Sequence, residues 1–295
     1  MKTKQSVTKS NKHAAMKLPI TSMTITALGL VSMVLAAGQA AQAQNVPPST
    51  VTAPVVFQAA GPDAASIQSS VDAFRAALGD SNGNNPGPLP IKGRREINWD
   101  GGNPSVLDTT APVTPFLVFL NTRGSQFKTP GVGLSQAPPS GGPQGGLAVL
   151  FSNLTYGRIF KTFSASRLFT PVKSNITVAS FAIPGTNGTA QATVRGFGAV
   201  FTDVDQPDGR PSPSDRPSNT QIEYFDRNGR LLFTGSVPAA PGDGNLSFFG
   251  VKFNDARIAF VQIKTGNVAP GPNDDAAHDV VMMDDFVYGE PQLLH

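Results

Sequence analysis

Apolar and polar residues follow two rhythms along this 295-residue chain. Between Asp63 and Gly79 the apolar residues Ile67, Val71, Phe74 and Leu78 recur at spacings of four, three and four, which is one face of a helix. Asp63 is placed to cap its start and Gly79 to stop it. Such a stripe predicts a helix packed across one end or edge of a larger body. After the breaker-rich "GDSNGNNPGPLPIKG" the rhythm changes to short β-prone runs: "REINW", "PFLVFL", "GLAVLFSN", "RLFTPV", "NITVASFAI", "ATVRGFGAVFTD", "TQIEYFD", "RLLFTGSV", "SFFGVKF", "RIAFVQIKTG" and "DVVMMDDFVYG". In "EYFDRNGRLLF", Asn228-Gly229 is expected to supply the positive φ angles of a tight hairpin. Repeated short strands with turn signals about every 8 to 12 residues predict an all-β fold, an antiparallel β-sandwich or jelly roll carrying one N-terminal amphipathic helix. No fixed-period repeat points to a propeller or solenoid.

The first residues break this pattern. Five lysines lead into an apolar run from Ile25 to Ala37 and then Ala41-Gln42-Ala43, which together read as a secretory signal ending at residue 43. The run is too short and too interrupted for a membrane span, and a start at Met16 would give a signal of more ordinary length. The expected organisation is therefore a signal peptide over 1–43, an extended segment over 44–61, and a single β-sandwich domain over 62–295 that includes the helix at 63–79. Losing the signal also changes the charge. The full chain has 23 basic and 20 acidic residues, but the five lysines leave with the signal, so the mature chain is slightly acidic. The basic character is then no argument for nucleic acid or an anionic membrane as partner. With no cysteine, an exported chain has neither disulfides nor thiolate metal ligands.

Three long loops stand out, at Thr129–Gly146, Val204–Asn219 and Gly266–His278. The first is uncharged and breaker-rich, and flexibility is expected of it. The other two are acidic. Asp203, Asp205 and Asp208 lie in "FTDVDQPDG", Asp274, Asp275, Asp279, Asp284 and Asp285 in "PNDDAAHDVVMMDDF", and Glu96 and Asp100 in "REINWDGG". Carboxylates gathered by a fold repel unless they are protonated, paired or bound to a cation. Asp203, Asp205, Asp208, Asp284, Asp285 and Asp100 are thus candidate ligands of a structural calcium, set against ordinary solvated acids and salt bridges. The spacing is not that of an EF-hand. Strand alternation would put Asp284 on one face with Met282, Phe286 and Tyr288, and Asp285 on the other with Met283 and Val287. A last strand meeting "INWDG" would tie the two ends of the domain together.

Trp99 is the only tryptophan. It has two readings, a ring that stacks on a sugar and a core anchor beside Ile97. Arg94 and Arg95 are expected to pair with nearby acids. The mature chain retains only His278 and His295, and no G-x-S-x-G, H-E-x-x-H or P-loop pattern occurs. Glu96 with Asp100, or Glu223 with Asp226, would serve a glycoside hydrolase only if the two acids faced each other across a cleft. Sequons at Asn153, Asn175, Asn187 and Asn245 would mark exposed loops where the source glycosylates.

The strings "GRREINWDG", "GTNGTAQATVRGFGAVFTDVD", "IEYFDRNGRLL", "SFFGVKF" and "VMMDDFVYGEP" resemble a group of uncharacterised exported bacterial β-sandwich proteins, some of which carry PEP-CTERM type sorting tails. This chain ends at "QLLH" without the apolar span of those tails. More distantly, a last strand of the "DDF" type resembles calcium-containing jelly-roll carbohydrate-binding modules. The first expectation is a secreted, non-enzymatic module, stabilised by calcium, that binds an extracellular glycan or surface protein. The alternatives are a structural or matrix protein without a discrete ligand, and a carboxylate-dependent glycosidase or lyase.

Overall fold

The computed structural model describes residues 53–100, 113–205, 219–275 and 277–294. The expected signal peptide, the start of the extended segment and Asp208 lie outside these residues.

In chain order the elements are β1 (Val55–Gly61), α1 (Ala64–Leu78), β2 (Arg94–Ile97), α2 (Leu120–Arg123), β3 (Ser125–Lys128), β4 (Gly133–Ala137), α3 (Gly146–Leu150), α4 (Tyr156–Ile159), β5 (Leu168–Val172), β6 (Ile176–Ala182), β7 (Gln191–Thr193), β8 (Gly196–Thr202), β9 (Gln221–Phe225), β10 (Leu231–Ser236), β11 (Leu246–Lys252), β12 (Phe260–Lys264), β13 (Met282–Gly289) and β14 (Gln292–Leu293). Among the described residues they form two antiparallel sheets of seven strands. One runs β1-β11-β8-β13-β5-β4 with β2 also on β13. The other runs β10-β9-β12-β6-β7-β14 with β3 on β6. The all-β sandwich with one N-terminal amphipathic helix is the observed architecture.

The two sheets are buried differently. In the second sheet β6 and β9 alternate buried and half-exposed residues, as expected of a sheet with one wet face. In the first, β8 and β13 are buried at every position. Phe197, Ala199 and Phe201 point between the sheets while Val200 points to the opposite face. The covering element there is α1, whose Ile67, Val71, Phe74 and Leu78 are fully buried against Val200, Leu246, Phe248 and Val287. Asp63 caps it as expected, its carboxylate accepting from the Ser66 amide at 2.9 Å. The helix therefore lies on a face of the sandwich rather than at an end or edge. The Gly198–Gly250 pair makes this close approach feasible, because a Cβ on Gly198 would come within 2.9 Å of the Phe74 ring.

Other expectations change in detail. Only Gly229, not Asn228, takes a positive φ in the β9–β10 turn, where the Asp226 carboxylate accepts from the Asn228 and Arg230 amides and fixes the bend. "GLAVLFSN" turns into α3 because the amides of Leu147 and Ala148 bond the carbonyls of Pro138 and Pro139 instead of a strand. Short apolar runs leave that choice to tertiary contacts. "PFLVFL" pairs only at Phe116, with Phe127, before α2 begins. The loop expected to be flexible holds β4, buried at every position, and the segment expected to be merely extended supplies β1. Asn153 is buried, its side chain accepting from Thr155, so that sequon does not mark an exposed loop.

The ends of the domain meet as anticipated: β2 pairs with β13, Ile97 opposite Phe286 and Arg94 opposite Gly289. Their fastening is a fully buried ion pair. Arg95 donates from Nε to Glu290 Oε2 at 2.6 Å and from Nη2 to Oε1 at 2.7 Å, and Asn82 adds a third hydrogen bond at 2.7 Å. Planar guanidinium and carboxylate match here in the two-pronged geometry that arginine favours.

Candidate functional site

The aspartates of "MMDDF" do not obey simple alternation. Between Met283, opposite Phe201, and Phe286, opposite Ala199, β13 carries one residue more than β8. This is a β-bulge, and it resets the parity. Met283, Phe286 and Tyr288 all enter the core between the sheets, while Met282 and Val287 face the other way. Asp284 and Asp285 consequently sit side by side, correcting the opposite faces expected from alternation.

Around them gathers a network. The Phe163 amide donates to Asp284 Oδ2 at 2.5 Å. Ser164 Oγ lies 2.6 Å from Asp285 Oδ1 and 2.9 Å from Asp100 Oδ2. The amides of Ser166 and Arg167 bond Asp100. Arg75, from α1, reaches Glu96 at 2.9 Å and Asp285 at 3.3 Å, and Glu96 also pairs with Arg94. Burial raises the pKa of Asp284 well above the carboxylate range, with the neighbouring Asp285 charge adding to it. Burial raises Asp285 too, against the lowering effect of Ser164 and Arg75. Burial thus favours the neutral form of Asp284, whose Oδ1 has no hydrogen-bond partner among the described residues. The result is a hydrogen-bonded and salt-bridged buttress binding α1, β2, the 163–167 segment and β13.

Trp99 belongs to the same region and is fully buried. Its ring stacks on Phe169, centroids 3.7 Å apart, and its Nε1 donates to the Asp284 carbonyl at 3.0 Å. Edges of Phe127 and Phe286 close on it. Trp99 is thus a core anchor rather than an exposed sugar-stacking ring, its ring packed by core aromatics and its Nε1 taken by the Asp284 carbonyl.

A second carboxylate cluster lies at the end of β8. Asp203 adopts a left-handed φ of 66°, a conformation aspartate tolerates better than most residues, and its amide donates to the Asn245 carbonyl at 3.0 Å. Beyond it, Asp205 accepts from the Gly242 amide at 3.2 Å, and Asp274 from the Val280 amide at 3.2 Å. Asp279 is positioned by its backbone: Asn267 accepts from its amide and donates to its carbonyl. Gly266 must be glycine here, because at its φ of +60° a Cβ would fall 2.0 Å from that carbonyl oxygen. One wall is a small apolar core containing Tyr156, Phe160, Val280 and Met282. The Tyr156 hydroxyl pins the Gly271 carbonyl at 2.7 Å, and burial pushes that hydroxyl up to about 12.

Among the described residues no arginine or lysine neutralises this cluster. Burial, then the charges of Asp205, Asp274 and Asp279, push Asp203 up to about 9. Burial, with the charges of Asp205 and Asp274, pushes Asp279 to about 7, and burial, with the charges of Asp205, Asp243 and Asp275 and against the Val280 amide, pushes Asp274 to about 6. Asp279 is only 7% exposed, and neither of its carboxylate oxygens makes a hydrogen bond of good geometry among the described residues, although the Asp205 amide comes near enough to lower its pKa. No arginine or lysine there bonds Asp203, Asp205, Asp274 or Asp279; Arg158 pairs instead with the neighbouring, exposed Asp243. Among the described residues no three acidic or histidine side chains are already arranged to hold a metal ion. The donor set is nonetheless all oxygen, as a hard cation prefers.

The expected calcium ligands thus divide. Asp203 and Asp205 come together with Asp274 and Asp279, which were noted only as acids, whereas Asp100, Asp284 and Asp285 form the separate buttress. The acids considered for glycoside hydrolysis do not oppose each other across a cleft. Glu96 and Asp100 sit within the buttress, Glu223 bonds Gln262, and Asp226 bonds its own turn. Asp275 faces outward and pairs with His278 at 2.8 Å. Comparison with known protein families, curated proteins and solved structures returned no match.

Proposed function

We propose that this chain is an exported, non-enzymatic β-sandwich that binds an extracellular glycan or surface protein through its loops, and that calcium at Asp203, Asp205, Asp274 and Asp279 stabilises it. The observation that carries the ion is Asp279, a buried carboxylate with neither oxygen in a hydrogen bond of good geometry, under the charges of Asp205 and Asp274. Leaving such a charge bare costs several kcal/mol, so the cluster must hold either protons or a cation. Calcium takes six to eight oxygen ligands in flexible geometry and suits a set made of carboxylates and water with no nitrogen or sulfur. The residues fit the ion chemically, and binding requires the four side chains to draw in around it. The ion would lock the acidic loop before β13 onto the end of β8, giving neighbouring loops a fixed shape for recognition.

Calorimetric titration of the chelator-stripped protein, together with melting curves with and without calcium, tests this reading. Binding heat and a raised melting temperature, both abolished in Asp203→Asn, are expected. No heat and identical melting curves would sink it.

A further inference from the structure

A cavity of about 400 Å³ opens between the β9–β10 turn, the β11–β12 turn and the C-terminal strand β14. We infer that it binds a sugar bearing a carboxylate, such as one or two residues of a uronic-acid polysaccharide. The assignment rests on reading the chain as an exported glycan-binding module, and supplies the class of glycan.

Arg257 is the recognition element. Its Nε donates to Asp255 Oδ1 at 2.5 Å and its guanidinium carbon lies 5.5 Å from the centre of the Phe253 ring, which fixes the plane of the group. Its two terminal nitrogens have no hydrogen-bond partner among the described residues, so the side chain presents an ordered fork of N–H donors to the cavity. A planar fork recognises a carboxylate bidentately. Around it Asn228 lines the cavity and suits sugar hydroxyls, Gln292 also lines it with its Nε2 already donating to the Leu89 carbonyl at 2.9 Å, and Ile91, Leu293 and Leu294 give an apolar wall for the face of a ring. Asp226 and Asp255 also line the cavity, Asp226 paired with Arg230 and Asp255 with Arg257 itself, and Arg227 adds a second cation to the lining. This near balance of charge favours a ligand with one charge per residue over a phosphate dianion. The volume falls within the range of small-ligand sites, roughly 300–1,000 Å³.

The probes are a galacturonate trimer and the neutral galactose trimer, titrated calorimetrically against the full mature chain in chelator, because uronates themselves bind calcium. Expected are binding of the uronate trimer at least tenfold tighter than the neutral one, a tenfold or greater loss in Arg257→Gln with an unchanged melting temperature, and a several-fold loss in Asn228→Ala. Equal affinity for both trimers, no binding of either, or uronate binding indifferent to Arg257→Gln when that variant is folded would each overturn the proposal. Should Arg257→Gln fail to fold, Asn228→Ala on its exposed turn decides alone. Calcium titration of the same proteins keeps the two readings separate: uronate binding without a calcium response leaves this site standing and removes the ion, and the reverse removes this site alone.

Discussion

The two carboxylate clusters hold similar numbers of acids on the same sheet, yet they are electrostatically opposite. In the buttress around the β13 bulge each acid meets at least one donor, although Asp284 Oδ1 has none among the described residues. Arg75 and Arg94 supply charge, Ser164 and three backbone amides supply hydrogen bonds, and burial raises Asp284 toward its neutral form. At the end of β8, Asp205 and Asp274 each accept one amide hydrogen bond and Asp279 accepts none of good geometry among the described residues. Burying carboxylates is therefore compatible with a purely structural role in one place and, in the other, leaves charge to be met by protons or by the proposed cation. Composition alone does not distinguish a salt-bridged joint from an ion site. The number of donors aimed at each oxygen does.

The largest effect that separates the clusters is their dependence on pH and calcium. A carboxyl whose pKa is higher in the folded than in the unfolded chain gives stability that is complete below about pH 4 and fades as pH rises through the folded value. For Asp274, Asp279 and Asp203 those values are about 6, 7 and 9. In chelator the protein should therefore lose stability steadily from about pH 4 to pH 9, by several kcal/mol in urea unfolding. Calcium, which binds the ionised form, should restore it at the alkaline end. At a hundredfold excess over its dissociation constant an ion adds about 2.7 kcal/mol, a rise in melting temperature of roughly 5–10 °C for a domain of this size. A pH profile unaltered by calcium would show that protons alone satisfy this cluster, and the contrast with the buttress would collapse.

The buttress is broken from the other side, by removing its cation. Arg75→Met should cost about 2–3 kcal/mol, below the loss of roughly 3–5 typical of fully buried pairs, because the Arg75 side chain keeps 20% of its surface exposed. Its calcium response should remain that of the parent. Ser164→Ala should cost less, about 1–2 kcal/mol, for a hydrogen bond to a charged acceptor. Denaturant midpoints rank the two variants. Equal losses would mean that the hydroxyl, rather than the guanidinium, holds the carboxylates together.

How much of this the sequence discloses depends on whether the determinant is local. The α1 helix was legible because its stripe and both caps lie within seventeen consecutive residues, and the strands of the second sheet were legible because one wet face enforces alternation. In the first sheet both faces are dry, so Val200 and Phe201 are equally apolar and nothing marks which way each points. That is why alternation misassigned Asp284 and Asp285. Adjacent acids in an otherwise apolar strand were themselves the available sign of a bulge. The acids of the β8 cluster were visible as a composition, but their grouping follows from Thr202 lying opposite Met282, a pairing across eighty residues that no local pattern announces. Glu290, the partner of Arg95, is not among the expected residues, although a charged residue directly after the apolar run "FVYG" signals a buried pair. Trp99 was read both ways, and its surroundings are core because five phenylalanine rings drawn from separate segments converge on it.

The smallest expected change is the most discriminating. Asp279→Asn removes a charge while keeping the shape, and the new amide can donate to the neighbouring carboxylates. An unpartnered ionised group confers nothing on stability in the absence of an ion, so this variant should be more stable than the parent in chelator at pH 8, by about 1 kcal/mol, the usual worth of one satisfied hydrogen bond. In calcium the order should reverse, because the ligand that anchors the ion is gone and affinity falls at least tenfold. The corresponding change in the buttress, Asp285→Asn, should destabilise in both conditions, since it deprives Arg75 of a partner whatever the calcium concentration. A crossing of the two melting curves for Asp279→Asn, with no crossing for Asp285→Asn, would establish that only the cluster at the end of β8 is built around an ion. If Asp279→Asn is instead destabilised in chelator, its carboxylate already has a partner, and the two clusters differ in degree rather than in kind.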